Sequence, residues 1–156
     1  MLTIFGGKIT TFRKLAEHAL DKLSPYFPEM GDAWTSAQPL PGGDIENADF
    51  DAWFNNFNQK HPNLPATLLY HYARLYGTRA DQLLANIQTT EQLGKHFGHT
   101  LYEVEVRYLV ENEWAQTAED ILQRRTKHGL HLTPAEREVF THWLDAEYPQ
   151  ANALSA

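Results

Sequence analysis

Apolar positions recur at helical spacing along most of this chain. Phe12, Leu15, Ala16, Ala19, Leu20 and Leu23 fall three and four residues apart, which predicts one amphipathic helix. Ser24-Pro25 should stop it, because a residue before proline is pushed out of the helical region. Phe50, Trp53, Phe54 and Phe57 form an aromatic stripe on a second helix, and Leu68, Leu69, Tyr72 and Tyr76 a stripe on a third that Gly77 can end. Aromatics at this spacing read as helix–helix core rather than as a cofactor box.

Helix starts are marked further along. Thr89-Thr90-Glu91-Gln92, Thr100-Leu101-Tyr102-Glu103 and Thr133-Pro134-Ala135-Glu136 each set threonine ahead of Glu or Gln at capping-box spacing, the last with Pro at the first helical position. They predict short helices over about 79–87 and 90–97, a longer one over about 101–114, another over about 117–127 and a last one over about 134–148. No strand is expected after Phe5. The fold class is therefore all-α, a compact helical bundle of about six or seven helices joined by short connections.

The opening breaks that pattern. Leu2 to Phe5 read as a short strand, Gly6-Gly7 as a tight turn, and Thr10 or Thr11 as the cap of the first helix. A glycine pair lets the backbone approach a ligand without a Cβ in the way, and the free N–H groups of a first helical turn make an anion-binding corner. So short a strand has no pairing partner later in the sequence, so its sheet is expected upstream. Pro28 to Gly43, with Pro39, Pro41 and the Gly42-Gly43 pair, reads as a long connection. The expected organisation is 1–27 as strand, turn and helix of a larger domain, 28–49 as linker, and 50–156 as the helical domain.

Composition narrows the picture. At 156 residues, 42% of them hydrophobic, the chain can bury a core of its own. A mean hydropathy of −0.51 excludes a membrane-embedded chain, and no apolar run reaches bilayer length. Lys8 and Arg13 after two glycines do not follow the plan of a secretory signal. With 0 cysteines there is no disulfide framework, thiolate nucleophile or cysteine zinc site. A net charge of −7 argues against general nucleic-acid binding, which needs a basic face.

Two charges sit on apolar faces: Glu105 beside Leu101, Val104, Tyr108 and Leu109, and Arg125 beside Ala118, Ile121 and Leu122. A buried charge is costly without a partner, so these two are expected to pair, or to join Glu113, Asp120 and Arg124 in a structural network. The functional alternative is an anion site made by Arg124, Arg125 and Lys127. His96-Phe97-Gly98-His99 and His128-Gly129-Leu130-His131 invite a metal reading, yet each pair contains glycine where a helix would end and lacks an evident third and fourth ligand. No metal site is expected from them. Gly7-Lys8 is not a P-loop, since Leu2 and Ile9 stand where that motif needs Gly and Ser or Thr.

The segment Gly6-Gly7-Lys8-Ile9-Thr10-Thr11-Phe12-Arg13-Lys14-Leu15-Ala16-Glu17-His18-Ala19-Leu20 resembles the one that closes the flavin domain of the FAD-dependent, aerobic-type glycerol-3-phosphate dehydrogenases. The resemblance continues through Leu40-Pro41-Gly42-Gly43, Tyr72-Ala73-Arg74-Leu75-Tyr76-Gly77, Glu105-Val106-Arg107-Tyr108-Leu109-Val110-Glu111-Asn112-Glu113-Trp114 and Asp120-Ile121-Leu122-Gln123-Arg124-Arg125-Thr126. It implies the C-terminal part of an enzyme that oxidises sn-glycerol 3-phosphate to dihydroxyacetone phosphate and passes electrons to quinone. Gly6, Gly7, Lys8, Ile9 and Thr10 would then touch the pyrimidine end of FAD, with Lys8 near that edge or the substrate phosphate. The dinucleotide fingerprint and catalytic base would lie in upstream FAD-binding and substrate domains, so the chain alone is expected to hold no FAD and to be inactive. The resemblance further implies a cytoplasmic enzyme, peripheral at the inner face of the membrane, with a homodimer as a possible state. The alternative is a self-contained helical module that binds a partner protein through its aromatic face or its Arg124-Arg125 patch.

Overall fold

The structure, a computed structural model, describes residues 1–149. Two units emerge, one from Met1 to Leu40 and a second from Pro41 onward. The first is built on α1, Phe12–Leu23, preceded by a 3-10 turn at Ile9–Thr11 and followed by another at Ser24–Tyr26. The α-winding stops at Leu23, where the sequence predicts, but Ser24 stays in the helical region at φ −50° and ψ −37° and the chain tightens into the 3-10 turn before leaving it at Phe27. Its start has no side-chain cap; instead the Thr11 hydroxyl donates to the Lys8 carbonyl at 2.9 Å. Arg13 on α1 donates to the carbonyls of Thr35 and Gln38, and Thr35 donates to Glu17, which folds the following segment back along the helix. No residue from 1 to 40 is buried.

In the second unit, α2 spans Phe50–Lys60, α3 Ala66–Tyr76, α4 Ala80–Leu83, α5 Glu103–Asn112 and α6 Pro134–Glu147. Asp49 caps α2 by accepting from the Ala52 N–H at 3.0 Å. One core cluster joins Phe57, Leu68, Leu69, Tyr72, Leu84 and Leu93, and a second joins Leu101, Leu109, Ile121, Leu132, Phe140 and Leu144. Tyr76 packs against both. The aromatic stripe of α2 is helix–helix core as expected: Phe57 is buried, Phe50 and Phe54 meet Tyr70 edge-on, and the Arg74 guanidinium lies over the Phe50 ring.

The Leu40-Pro41-Gly42-Gly43 and Tyr76-Gly77 motifs share a structural reason. The Gly42 carbonyl accepts from the Thr78 N–H at 3.0 Å, and a Cβ on Gly77 would lie 1.9 Å from that carbonyl oxygen. With φ at +54° as well, Gly77 is required both by the turn and by the close approach.

Several expectations are corrected. Leu2 to Phe5 form no strand: they are exposed and join no ladder, because a strand is stabilised by pairing and nothing in their unit offers an edge. A strand pair does occur later, where none was expected: β1, His96–Gly98, and β2, Leu101–Tyr102, are antiparallel, with Gly98 and His99 at positive φ in the connection. The predicted helix over 90–97 is therefore only a 3-10 turn at Thr90–Leu93 leading into β1, and the one over 79–87 reduces to α4. Capping boxes form at Thr89 and Thr133. At Thr100 there is none, because Glu103 is engaged elsewhere, accepting from the Lys95 N–H at 3.0 Å and from Arg107 at 2.9 Å. The predicted helix over 117–127 is wound instead as a π-helical segment, Asp120–Arg125, opened by reciprocal bonds between Thr117 and Asp120 that the sequence reading overlooked.

Among the described residues no helix is long and apolar enough to cross a membrane.

Candidate functional site

In the first unit, Gly6, Gly7, Lys8, Ile9 and Thr10 lie together ahead of α1, all exposed. Gly6 has φ +59° with open space where a Cβ would be, a conformation that side-chain-bearing residues rarely adopt. At Gly7 a Cβ would approach the Leu15 side chain to 2.9 Å. Lys8 is extended, and the Thr11 N–H closes the turn on the Lys8 carbonyl at 2.9 Å. The donors that a helix start leaves without intrahelical partners, those of Ile9 and Thr10, thus follow a glycine-opened backbone. This is a corner suited to an anion or to the electron-rich edge of a ring.

A second site, in the second unit, gathers around a buried carboxylate. Glu105 on α5 is fully buried, at 0% exposure. Its Oε1 accepts from the Tyr76 hydroxyl at 2.7 Å and lies 3.3 Å from His71 Nε2, both on α3. Its Oε2 lies 3.0 Å from His128 Nε2. His128 is itself buried, and its position follows from the segment before it. The Thr126 N–H and hydroxyl both donate to the Ile121 carbonyl, the bond pattern of a π turn, and the same hydroxyl accepts from the His128 N–H at 3.2 Å. The stretch Asp120 to Thr126 therefore acts as a mount for His128.

The electrostatics are those of a carboxylate held charged in the core. Burial pushes the Glu105 carboxyl up, but the bonds from His128 and His71 outweigh it and hold the group below its ordinary range. For Tyr76, burial first, then the Glu105 charge and the bond donated to it, push the phenol well above its ordinary range. It therefore stays protonated and donating.

The expected Glu105–Arg125 pair is corrected. Arg125 is exposed, and among the described residues the side chains that meet the Glu105 carboxylate are Tyr76, His71 and His128. A side chain as long as arginine on a π-wound turn escapes to water, whereas histidine fits the space beside a buried carboxylate. The rest of the expected network is partly present. Arg124 bridges Asp120 at 2.6 Å and Glu119 at 2.9 Å. Lys127 donates to the Gln123 carbonyl. Arg124 and Lys127 are thereby engaged by their own neighbours, and all three basic side chains of the run stay exposed.

Sequence reasoning paired His128 with His131 and His96 with His99. The fold sets His128 beside His71, with ring centroids 4.9 Å apart, and stacks His99 on His131 at 4.5 Å, while His96 Nε2 lies 2.9 Å from the His99 carbonyl oxygen. His96 is on β1 rather than at a helix end. Tyr72 and Tyr76 are legible as part of one helical stripe, whereas His71, which faces Glu105 from the same helix, has no signal in the sequence.

Comparison with known proteins gives the family. Residues 33–146 match the family described as the C-terminal domain of alpha-glycerophosphate oxidase. The chain is 55% identical over 145 residues to D-erythritol 1-phosphate dehydrogenase of Brucella abortus, covering 93% of this chain and 29% of that protein. It is 47% identical over 150 residues to aerobic glycerol-3-phosphate dehydrogenase of Escherichia coli, covering 96% of this chain and 30% of that protein. To the alpha-glycerophosphate oxidase of Streptococcus pneumoniae it is 30% identical over 153 residues, covering 93% and 25%. The chain thus spans about a third or less of the length of the curated relatives it matches. The matched span, which covers most of the chain, shows that the chain belongs to the family of alpha-glycerophosphate oxidase C-terminal domains.

Proposed function

We propose that this chain serves as the helical C-terminal portion of an FAD-dependent dehydrogenase that oxidises sn-glycerol 3-phosphate to dihydroxyacetone phosphate and delivers electrons to quinone. The observation that carries the reading is identity of 47% to a dehydrogenase named for that substrate, across 96% of the chain. Upstream FAD-binding and substrate domains are its partners in this proposal, with a homodimer and attachment to the cytoplasmic membrane face as further elements.

The residues present fit a flavin edge. Gly6, at positive φ with nothing in the space of a Cβ, lets a planar ring approach the backbone, and the N–H groups of Ile9 and Thr10 are placed to donate to it. Lys8 adds an ammonium group to the same corner, where it opposes negative charge on a ring or on a phosphate. A flavin held there would supply the two-electron acceptor that oxidation of the alcohol carbon needs. The second unit contributes no reacting group in this reading; it supplies a rigid helical body. By itself the chain is inactive.

Identity of 55% to D-erythritol 1-phosphate dehydrogenase favours a second reading, in which the substrate is that phosphate. The test is the natural gene product that carries this chain, assayed with each phosphate and a soluble electron acceptor. FAD-dependent oxidation of glycerol 3-phosphate supports the first reading, and preference for D-erythritol 1-phosphate selects the second. A folded, flavin-loaded protein that oxidises neither sinks both. In the same protein, Gly7→Val should lower the bound flavin per chain; full occupancy in that variant removes the glycine corner from the proposal.

A further inference from the structure

The proposed redox role leaves the Glu105 cluster without a task. Among the described residues, His71, Glu105 and His128 are the group whose ligand atoms, one from each, all lie within 4.8 Å of one another. A metal held at about 2.0–2.2 Å by nitrogen and oxygen in tetrahedral geometry needs ligand atoms roughly 3.3 Å apart. The carboxylate already meets both rings near that distance, with His71 Nε2 3.3 Å from Oε1 and His128 Nε2 3.0 Å from Oε2, so each imidazole faces its own oxygen and a small rotation of the carboxylate would turn one oxygen, or both, to a shared ion. The donor set of two imidazoles and one carboxylate suits zinc and its first-row neighbours, and disfavours magnesium and calcium, which take oxygen ligands.

Three further observations bear on the site. Glu105 and His128 are almost wholly buried, but the His71 side chain is 23% exposed, so an ion can enter and a water can complete the coordination. Tyr76 donates to Glu105 Oε1 at 2.7 Å, the kind of outer bond that orients a ligating carboxylate. No lysine or arginine pairs with Glu105 among the described residues, so a divalent cation would compensate a buried carboxylate that has no permanent cation beside it.

We propose that His71, Glu105 and His128 bind one divalent transition-metal ion, zinc foremost, tying together α3, α5 and the turn that follows the π-helical segment. With the ion bound, each imidazole would carry its one ring proton on Nδ1, and the Nε2–H that faces Glu105 without the ion would give way to a lone pair on the metal. The ion is a clamp on the fold. The proposal stands apart from the redox reading: each can fail without the other.

The experiment uses the whole 156-residue chain without a histidine tag, dialysed against EDTA and then titrated with ZnCl2 by calorimetry and with CoCl2 by visible absorption. One equivalent should bind, Co2+ should give the ligand-field bands of a low-coordinate site, and zinc should raise the melting temperature. His71→Ala, at the exposed edge of the cluster, should weaken zinc at least about tenfold, as loss of a ligand does more than loss of an outer partner. The double variant His99→Ala/His131→Ala removes the stacked pair on the surface and should keep the site. Absence of binding and of any melting shift in the wild-type chain overturns the proposal, as does binding that survives His71→Ala or disappears in the double variant.

Discussion

Helices α1 and α3 carry the same kind of apolar periodicity, yet α1 buries no residue while α3 buries Leu68, Leu69, Tyr72 and Ala73. The difference lies in what surrounds them. On α3 the stripe meets α2, α4 and the Tyr108 region in a shared cluster. On α1, Phe12 and Leu20 remain about half exposed. Each buried large apolar side chain stabilises by roughly 1.5–3 kcal/mol relative to an exposed one. Periodicity therefore specifies a helix and its apolar face, but the stability of that helix comes from the surface it packs against.

That contrast can be broken by measurement. The largest difference should appear in amide hydrogen exchange. Amides of α3 should open only with the whole second unit, while those of α1 exchange through local fraying, giving protection that differs on the order of a thousandfold or more. Equal protection in the two helices would refute the contrast.

Next in size is Glu105→Ala. It leaves Tyr76, His71 and His128 facing a gap in the core, and should destabilise the second unit by about 3–5 kcal/mol in urea denaturation. A cost under about 1 kcal/mol would mean that the cluster contributes little to holding α3 and α5 together.

Glycines offer a paired comparison. Gly77→Ala drives a Cβ into the Gly42 carbonyl at positive φ and should cost about 2 kcal/mol or more. Gly31→Ala, with nothing within 4 Å, should shift stability by no more than about 0.5 kcal/mol. Equal melting temperatures for the two variants would show that the turn at Gly77 adapts.

Acid should act on the Asp120 mount. Partial burial pushes the Asp120 carboxyl up, but bonds from Arg124, the N–H groups of Gln116 and Thr117, and the Thr117 hydroxyl bring it down to about 2. Because the folded value lies below the ordinary 3.8, this carboxylate contributes its full stabilisation above about pH 4 and loses it as pH falls towards about 2. The contribution is on the order of 2 kcal/mol. Asp120→Asn should flatten the stability profile in that window, and an unchanged slope would show that other carboxylates dominate it. The smallest effect belongs to α1: Leu20→Ala, at 50% exposure, should cost well under about 1 kcal/mol.

Local signals in the sequence carried far. The end of α1 at Ser24-Pro25, the buried face of α2 and the boxes at Thr89 and Thr133 all rest on interactions within a few residues, which the order of amino acids specifies directly. The β1–β2 pair was missed because its strands are too short to show alternation, and the π winding because an extra residue per turn leaves no mark in apolar spacing. The Gly6 to Thr10 corner was legible as a glycine-opened helix start. The Glu105 site was half legible: a charge on the apolar face of α5 demanded a partner, but Arg125 answered that demand on paper as well as any other residue.

What the sequence by itself determined, then, is where helices begin and end, which faces are apolar, and that Glu105 must be satisfied. Only the tertiary structure decided by whom. His71 is 34 positions before Glu105 and His128 is 23 positions after it, and no local preference links them. They meet because two apolar clusters pack around Tyr76 and leave one polar space between α3, α5 and the turn after Thr126. A buried carboxylate takes the donors that packing brings to it, and packing is a property of the whole second unit.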